Sequence, residues 1–222
     1  MTRTAKRPDP RDEERGALAS VHAPCGNTVR CSRVIHRADW TFMGDPASAE
    51  PLLLRIGELT RSDLKRALAL AGVRLNAYAE TLLEDAVFER TEAETVEIVQ
   101  RTVGELGLTR GAALPRILAT AREHGLLPCP LVAGPYLRLA MSDQTTAPDS
   151  VLSNGRAPTG SVTIASEPLR VDDDYPKGFY LRVVDGQPWL RGYRCGNDHL
   201  WSPDDRFAFR LRPRTCAAPA GI

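Results

Sequence analysis

The stretch GFYLRVVDGQPWLRGYR, residues 178–194, sets an Asp-Gly pair between two runs of aromatic and β-branched side chains. An Asp-Gly pair in that setting is a strong short-range signal for a β-hairpin with a two-residue turn. We therefore expect Asp185 and Gly186 to form the turn between two antiparallel strands. The segment FAFRLR, residues 207–212, alternates in the same way and predicts a further strand.

Side chains alternate between the two faces of a strand, so this register predicts the composition of each face. It places Arg182 opposite Trp189 and Tyr180 opposite Arg191. The expected core face carries Phe179, Leu181, Val183, Pro188 and Leu190, with Phe207, Phe209 and Leu211 from the later strand. The other face combines basic and aromatic groups: Tyr180, Arg182, Val184, Trp189, Arg191 and Tyr193, with Arg206, Arg210 and Arg212.

The basic and aromatic face has three interpretations. One side of an antiparallel sheet is commonly wet, and Arg stems then cover apolar area while the guanidinium stays in water. The face could also contact a protein partner. Alternatively, guanidinium groups beside aromatic rings bind anions and stack on planar groups, as in a small anionic ligand or nucleic acid. The binding candidates are Tyr180, Arg182, Trp189, Arg191, Tyr193 and Arg210.

Composition excludes several protein classes. The 222 residues include 29 Lys and Arg against 28 Asp and Glu, so a net charge of +1 does not steer the whole chain to nucleic acid or to acidic membranes. No apolar run approaches the roughly 18 residues that cross a bilayer, and the N-terminus is charged where a signal peptide is apolar. The 5 cysteines are widely spaced, which favours reduced thiols. We expect a soluble cytoplasmic protein.

The first 50 residues are polar and lack periodicity, which predicts a disordered leader. Four residues in it are of types that zinc accepts, but their spacing lacks the tight Cys pair of structural sites, so we expect no metal. They are His22, Cys25, Cys31 and His36. Residues 51–213 are expected to form one domain, with a helical part at 51–127 and a sheet part at 128–213, followed by a tail at 214–222.

The helical part begins with two capping signals. Thr60 can cap a helix that ends at Gly72, and Asn76 can cap a second one, which predicts a helical hairpin. A helix-turn-helix is the functional alternative. Against it, the second helix carries acidic groups where a recognition helix would meet phosphates. These are Glu80, Glu84 and Asp85.

The remaining segments predict a mixed pattern of elements. ETVEIVQRTVGEL, from residue 94, is rich in β-branched residues and favours a strand, and a helix is expected from about Ala112 to His124. The segment GPYLRLAMSD, residues 134–143, is interpreted as a strand, and residues 144–160 as a long surface loop. A further strand is expected in GSVTIASEPL, residues 160–169.

Common catalytic and nucleotide-binding motifs are absent, including the phosphate loop, the dinucleotide fingerprint, the zinc helix and the nucleophile elbow. One polar cluster remains, in the loop RCGNDHLWSPDD, residues 194–205. Its Cys195, Asp198 and His199 are weak catalytic candidates, since a nucleophile needs a nearby base that an acid orients. Ordinary turn chemistry also explains these residues. The acids Asp172, Asp173 and Asp174 fit a solvated turn better than a cation site.

These observations predict an α+β protein with an N-terminal helical hairpin, a mostly antiparallel sheet of five or six strands and one further helix packed on it. The leading functional hypothesis is a cytoplasmic binding or accessory protein without catalysis and without a cofactor. One alternative is a nucleic-acid-binding regulator. The other is an enzyme acting on a small anionic substrate, with His199 and Asp198 as acid and base and with Arg191 or Arg194 holding the anion.

Overall fold

The structure is a computed structural model that describes residues 50–89, 92–147 and 157–213. The predictions for the leader, for its His22, Cys25, Cys31 and His36, and for the tail at 214–222 lie outside the described residues. The domain boundaries drawn from the sequence therefore stay a prediction.

The described chain contains ten strands and four helices. In order they are β1 (Leu52–Ile56), α1 (Arg61–Leu70), β2 (Arg74–Leu75), α2 (Ala77–Leu83), β3 (Glu94–Thr102), β4 (Ala112–Ala113), α3 (Leu114–Glu123), β5 (Leu126–Leu127), α4 (Ala133–Ala140), β6 (Val162–Ile164), β7 (Gly178–Val184), β8 (Gln187–Tyr193), β9 (Leu200–Trp201) and β10 (Arg206–Leu211). A 3-10 turn spans Ala86–Glu89. No helix in the described ranges combines the length and the hydrophobicity that crossing a membrane requires.

Eight of these strands form one sheet, curled into a half-barrel, in the order β1-β3-β10-β6-β7-β8-β2, with β5 also paired to β10. Strands β4 and β9 form a separate ribbon. The α+β class is confirmed. The expected antiparallel sheet of five or six strands is wrong in detail, because β6 pairs parallel with β10 and β2 pairs parallel with β8.

The hairpin of β7 and β8 has the predicted register. Arg182 lies opposite Trp189, and Tyr180 lies opposite Arg191. The turn residues Asp185 and Gly186 have φ angles of 50° and 75°. A two-residue turn that follows the twist of its strands needs positive φ at both positions, which is why the local sequence was sufficient here.

The faces of β10 are the reverse of those predicted. On β6, Thr163 lies between Tyr180 of β7 and Phe207 of β10. The adjacent residue, Val162, lies between Leu181 and Arg206. Phe207 therefore shares a face with Tyr180, not with Leu181. We name the sheet face that carries Leu181 the cavity face and the face that carries Tyr180 the α3 face.

Both faces are covered in the middle of the sheet, so the expectation of one wet side is wrong. Helices α1, α2 and α4 pack on the cavity face, and α3 packs on the α3 face. All seven positions of β7 are buried as a result. The α3 side includes a set of aromatic contacts in which Trp201 meets Tyr193 and Phe207 edge to face at 5.5 and 5.0 Å.

Helices α1 and α2 begin at the predicted caps, but they do not form the predicted hairpin. The Thr60 hydroxyl accepts a hydrogen bond from the Asp63 amide, and Asn76 Oδ1 accepts one from the Ala79 amide. The connection between the helices forms β2, α1 packs against α4, and α2 packs against β8. Strand β1 also precedes both helices. Together with α4, the two helices form one layer over the cavity face.

The segment interpreted as a strand at residues 134–143 contains helix α4 instead. A Cβ atom on Gly134 would lie 2.7 Å from the Phe179 ring, so the absence of a side chain allows the first turn of α4 to press against β7. Pro135 is tolerated there because the first amides of a helix have no partner within it. Helix α3 and strand β3 lie where the sequence predicted them.

Close contact between β8 and α2 makes Gly192 sensitive to substitution. A Cβ atom there would lie 2.6 Å from the carbonyl carbon of Tyr78 and 2.7 Å from the Ala79 amide, both backbone atoms that cannot move independently. We expect Gly192→Ala to lower the free energy of unfolding by about 2–3 kcal/mol, measured by urea denaturation. Gly196→Ala is the control, since there the Cβ would meet only the mobile carboxylate of Asp198. Equal losses in both variants would contradict this packing.

Asn76 joins α2 to β8 through three hydrogen bonds. Its Oδ1 accepts from the amides of Ala79 at 3.0 Å and Gly192 at 2.8 Å, and its Nδ2 donates to the Gly192 carbonyl at 3.0 Å. We expect Asn76→Ala to cost about 2–3 kcal/mol of unfolding free energy, because it removes a cap and also removes the two hydrogen bonds to the backbone of buried Gly192. Thr60→Ala removes only a cap at an exposed site and should cost about 1 kcal/mol. A smaller loss for Asn76→Ala than for Thr60→Ala would contradict this role.

Candidate functional site

A cavity of about 400 Å³ lies on the cavity face, between the C-terminal end of α4 and the strands β1, β3, β6 and β10. The loop that follows α4 forms its remaining wall. Its lining combines apolar and polar side chains. The residues are Leu52, Ile98, Gln100, Leu137, Ala140, Met141, Asp143, Gln144, Thr145, Gly160, Ser161, Val162, Asp204 and Arg206.

The sheet register explains how these residues meet. Gln100 and Ile98 alternate with Val99 along β3, so they point away from α3 and toward the cavity. Ala208, directly opposite Gln100 on β10, is small, and Val162 lies opposite Arg206. Small and branched residues on the floor leave room beside α4 that larger side chains would fill.

The loop wall is held in place by a buried arginine. Arg138, on α4, is 2 % exposed, and its guanidinium donates to Gln144 Oε1 at 2.6 Å and to the Met141 carbonyl. Gln144 in turn donates through Nε2 to the carbonyls of Gly160 at 2.9 Å and Leu181 at 3.3 Å. The side chain of Gln144 therefore connects α4, the loop and β7, which keeps the cavity open as a defined space.

Burial lowers the pKa of Arg138 to about 10, while the nearby carboxylate of Asp143 acts in the opposite direction. That pKa leaves the side chain charged at neutral pH. Its Nε is buried without a hydrogen-bond partner within the described part of the chain. The guanidinium of Arg138 is thus incompletely hydrogen-bonded. It is bonded to Gln144 and Met141, which both line the cavity.

The predicted binding residues do not form one surface. Tyr180, Arg182 and Tyr193 are buried, with exposed fractions of 8, 1 and 9 %. Burial raises the pKa of Tyr193. Arg210 lies opposite Ile98 on β3, which places it on the cavity face, away from the other five. The predicted arrangement is wrong because α3 covers the centre of the α3 face and because the faces of β10 are reversed.

Two of the predicted binding residues, Trp189 and Arg191, remain half-buried near the end of the sheet. The guanidinium carbon of Arg191 lies 4.1 Å from the centroid of the Trp189 ring. Arg74, directly opposite Trp189 on β2, places its guanidinium carbon 5.9 Å from the same centroid. The sequence did not point to Arg74, because β2 is only two residues long and pairs with a strand more than a hundred positions away.

The three catalytic candidates are not assembled into a reactive group. Cys195 lines a small cavity of about 90 Å³ beside Lys177 and α3, whereas the His199 ring packs edge to face on Trp201 at 5.1 Å. No hydrogen bond joins Cys195, Asp198 and His199, all of which are described. Burial raises the pKa of the Cys195 thiol, and the positive charge of Lys177 opposes that shift. A raised pKa reduces the thiolate fraction at neutral pH, which disfavours this thiol as a nucleophile.

Two basic side chains of the protein, Lys177 and Arg194, contact the acidic turn at residues 172–174. Lys177, 4 % exposed, donates to the carbonyls of Val171 at 3.0 Å and Asp172 at 2.9 Å and pairs with Asp173 at 3.1 Å. Arg194 pairs with Asp174 at 2.6 Å. Arg194, one of the two candidate anion holders of the enzyme hypothesis, is thus already engaged. Within the described ranges no three His, Cys, Asp or Glu side chains are grouped as metal ligands.

Sequence reasoning missed the cavity because its parts come from distant segments. Arg138 and Gln144 lie in a stretch interpreted as a strand followed by a surface loop. The signal available was the alternative helical spacing of Tyr136, Leu137 and Ala140, together with Pro135 in a first-turn position.

Comparison of the chain with protein-family models, with curated proteins and with solved structures finds no match.

Because its pKa is raised, the Cys195 thiol should react slowly with alkylating agents. We expect iodoacetamide at pH 7.5 to modify Cys195 in the folded chain more slowly than it modifies glutathione, followed by mass spectrometry. The variant Cys25→Ser, Cys31→Ser and Cys216→Ser removes the thiols outside the described residues, and unfolding in urea should restore an ordinary rate. A folded-state rate above that of glutathione would identify an activated cysteine and contradict this account.

Proposed function

We propose that this chain is a cytoplasmic binding protein without catalytic activity, whose ligand is a small amphipathic molecule with no net charge, either neutral or zwitterionic. The observation that carries the proposal is the cavity beside α4. Its volume of about 400 Å³ is in the range of roughly 300–1,000 Å³ typical of small-molecule sites.

The lining supports an amphipathic ligand. Apolar side chains from β1, β3, β6 and the end of α4 can bury a hydrocarbon or ring portion: Leu52, Ile98, Leu137, Ala140, Met141 and Val162. Amide and hydroxyl groups can orient a polar portion: Gln100, Gln144, Thr145 and Ser161. A mainly apolar wall with a few polar groups is the usual composition of a binding pocket.

The charges around the cavity support a ligand without net charge. Asp143 and Asp204 contribute two carboxylates, and Arg206 contributes one guanidinium. The buried guanidinium of Arg138 adds a second positive charge at the loop wall. The net charge of a charged ligand would have no counterpart in this partly desolvated space, which costs free energy.

The same residues favour binding over catalysis. Among the described residues, the cavity lining includes no His, Cys or Lys, the side chains that most often act as bases or nucleophiles near neutral pH. Two groups of the enzyme hypothesis are also engaged elsewhere, because His199 packs on Trp201 and Arg194 pairs with Asp174.

Filling the cavity tests the proposal. A fragment library with neutral, zwitterionic, anionic and cationic members is screened against the full chain by ligand-observed NMR. Because its larger side chain occupies the space beside α4, Ala140→Phe should weaken the bound fragments by at least about tenfold. Ala71→Phe, at an exposed position after α1, is the matched control and should bind them as the unchanged protein does.

Two results would contradict the proposed function. One is that fragments bind equally well to Ala140→Phe and to Ala71→Phe, which would place their site elsewhere. The other is that the cavity accepts only anionic or only cationic members, which would contradict the charge balance.

A further inference from the structure

A second feature of the molecule lies on the opposite side of the sheet from the cavity. Arg74, Trp189 and Arg191 lie on the α3 face near the β2 end of the sheet, beyond the area that α3 covers, and we name them the Arg-Trp surface. Both guanidinium carbons lie within 6 Å of the indole centroid, at 5.9 and 4.1 Å. Arg74 is exposed, and the other two are half-buried.

The two cations of the Arg-Trp surface lack acidic partners. Within the described residues, neither the Arg74 nor the Arg191 side chain forms an ion pair or a hydrogen bond, and the Arg191 Nε is buried without a partner. Several other arginines of the chain are paired with carboxylates. They include Arg55 with Glu58, Arg61 with Glu84, Arg66 with Asp63 and Arg194 with Asp174.

The neighbouring strand positions also contain no carboxylate. On the α3 face β2, β7 and β8 present Arg74, Gly178, Tyr180, Arg182, Val184, Gln187, Trp189, Arg191 and Tyr193. The protein as a whole has a net charge of only +1, so this part of the sheet is locally positive on a nearly neutral molecule. A locally positive surface attracts anions even where the whole protein does not.

We propose that the Arg-Trp surface binds single-stranded nucleic acid. Guanidinium groups make paired hydrogen bonds to phosphate oxygens, and bases stack on indole rings and on guanidinium planes. An acidic protein segment would match the charge but would leave the ring and the guanidinium planes without a stacking partner. The combination of planar cations and an indole therefore favours the nucleic acid.

The surface can be occupied independently of the cavity, because the two lie on opposite faces of one sheet. Arg191 lies opposite Tyr180, and Trp189 lies opposite Arg182 on the same face. Val162 and Ile98 of the cavity lie opposite Leu181 and Arg210, on the other face. A failure of the small-molecule function thus leaves this inference standing, and the reverse also holds.

The experiment titrates the full chain into a fluorescein-labelled oligothymidine at low salt and follows the anisotropy. Trp189→Ala should weaken binding about tenfold, as loss of one stacked base does. The double change of Arg74→Ala and Arg191→Ala should lower the slope of log affinity against log salt by about 1.4, since each phosphate of a single strand contributes ~0.7. Arg116→Ala removes an exposed arginine of α3 and is the matched control.

Circular dichroism checks that the variants fold. A further double variant, Arg74→Lys with Arg191→Lys, keeps both positive charges but removes the planar guanidinium groups. If the double alanine variant unfolds, Arg74→Ala alone decides the test, because Arg74 is exposed and should still weaken binding more than Arg116→Ala. The proposal is overturned by absence of binding at low salt or by equal losses in Arg116→Ala. The proposal is also overturned if a poly-glutamate peptide displaces the labelled oligothymidine as effectively as unlabelled oligothymidine does, because an acidic protein partner is then the better match.

Discussion

The parallel pairing of β6 with β10 is the constraint on which the rest of the structure depends. It places Phe207 in the same row as Tyr180 and Arg206 in the same row as Leu181. A shift by one residue would exchange the two faces of β10, moving two buried phenylalanines out of one core and two arginines into it. The chosen register gives each sheet face its own hydrophobic cluster and sends Arg206 to the wall of the cavity rather than beneath α3.

A sheet buried on both sides requires helices on both sides, and their unequal coverage leaves space for binding. Helix α4 lies close to β7 because Gly134 meets the Phe179 ring without a side chain of its own. The C-terminal end of α4 then continues into the loop held by Arg138 and Gln144, which is bonded to β7 and forms one wall of the cavity. On the other face, α3 covers the centre and leaves the Arg-Trp surface uncovered near β2. Both candidate interaction sites thus lie where helix coverage of the sheet ends.

The two sites differ in their balance of acidic and basic groups, and this difference favours different ligands. Around the cavity, carboxylates and guanidinium groups occur in equal number, including a buried arginine that is bonded to the wall. At the Arg-Trp surface the cations contact an indole ring, and the surrounding strand positions carry no acid. Elsewhere acidic groups are already engaged, as Glu84 is by Lys65, whose hydrogen bond and charge lower the pKa of that carboxylate.

The sequence by itself determined the elements whose hydrogen bonds close within a few residues: the hairpin turn at Asp185 and Gly186, and the helix caps at Thr60 and Asn76. These depend on backbone conformation and short-range chemistry, which neighbouring residues specify. Only the tertiary structure decided that residues 133–140 form a helix, which face of β10 meets Tyr180, and that Gln144 closes a cavity. Alternation along one strand states which side chains point together, but it does not state which sheet face they join, because that depends on a partner strand far away in the chain.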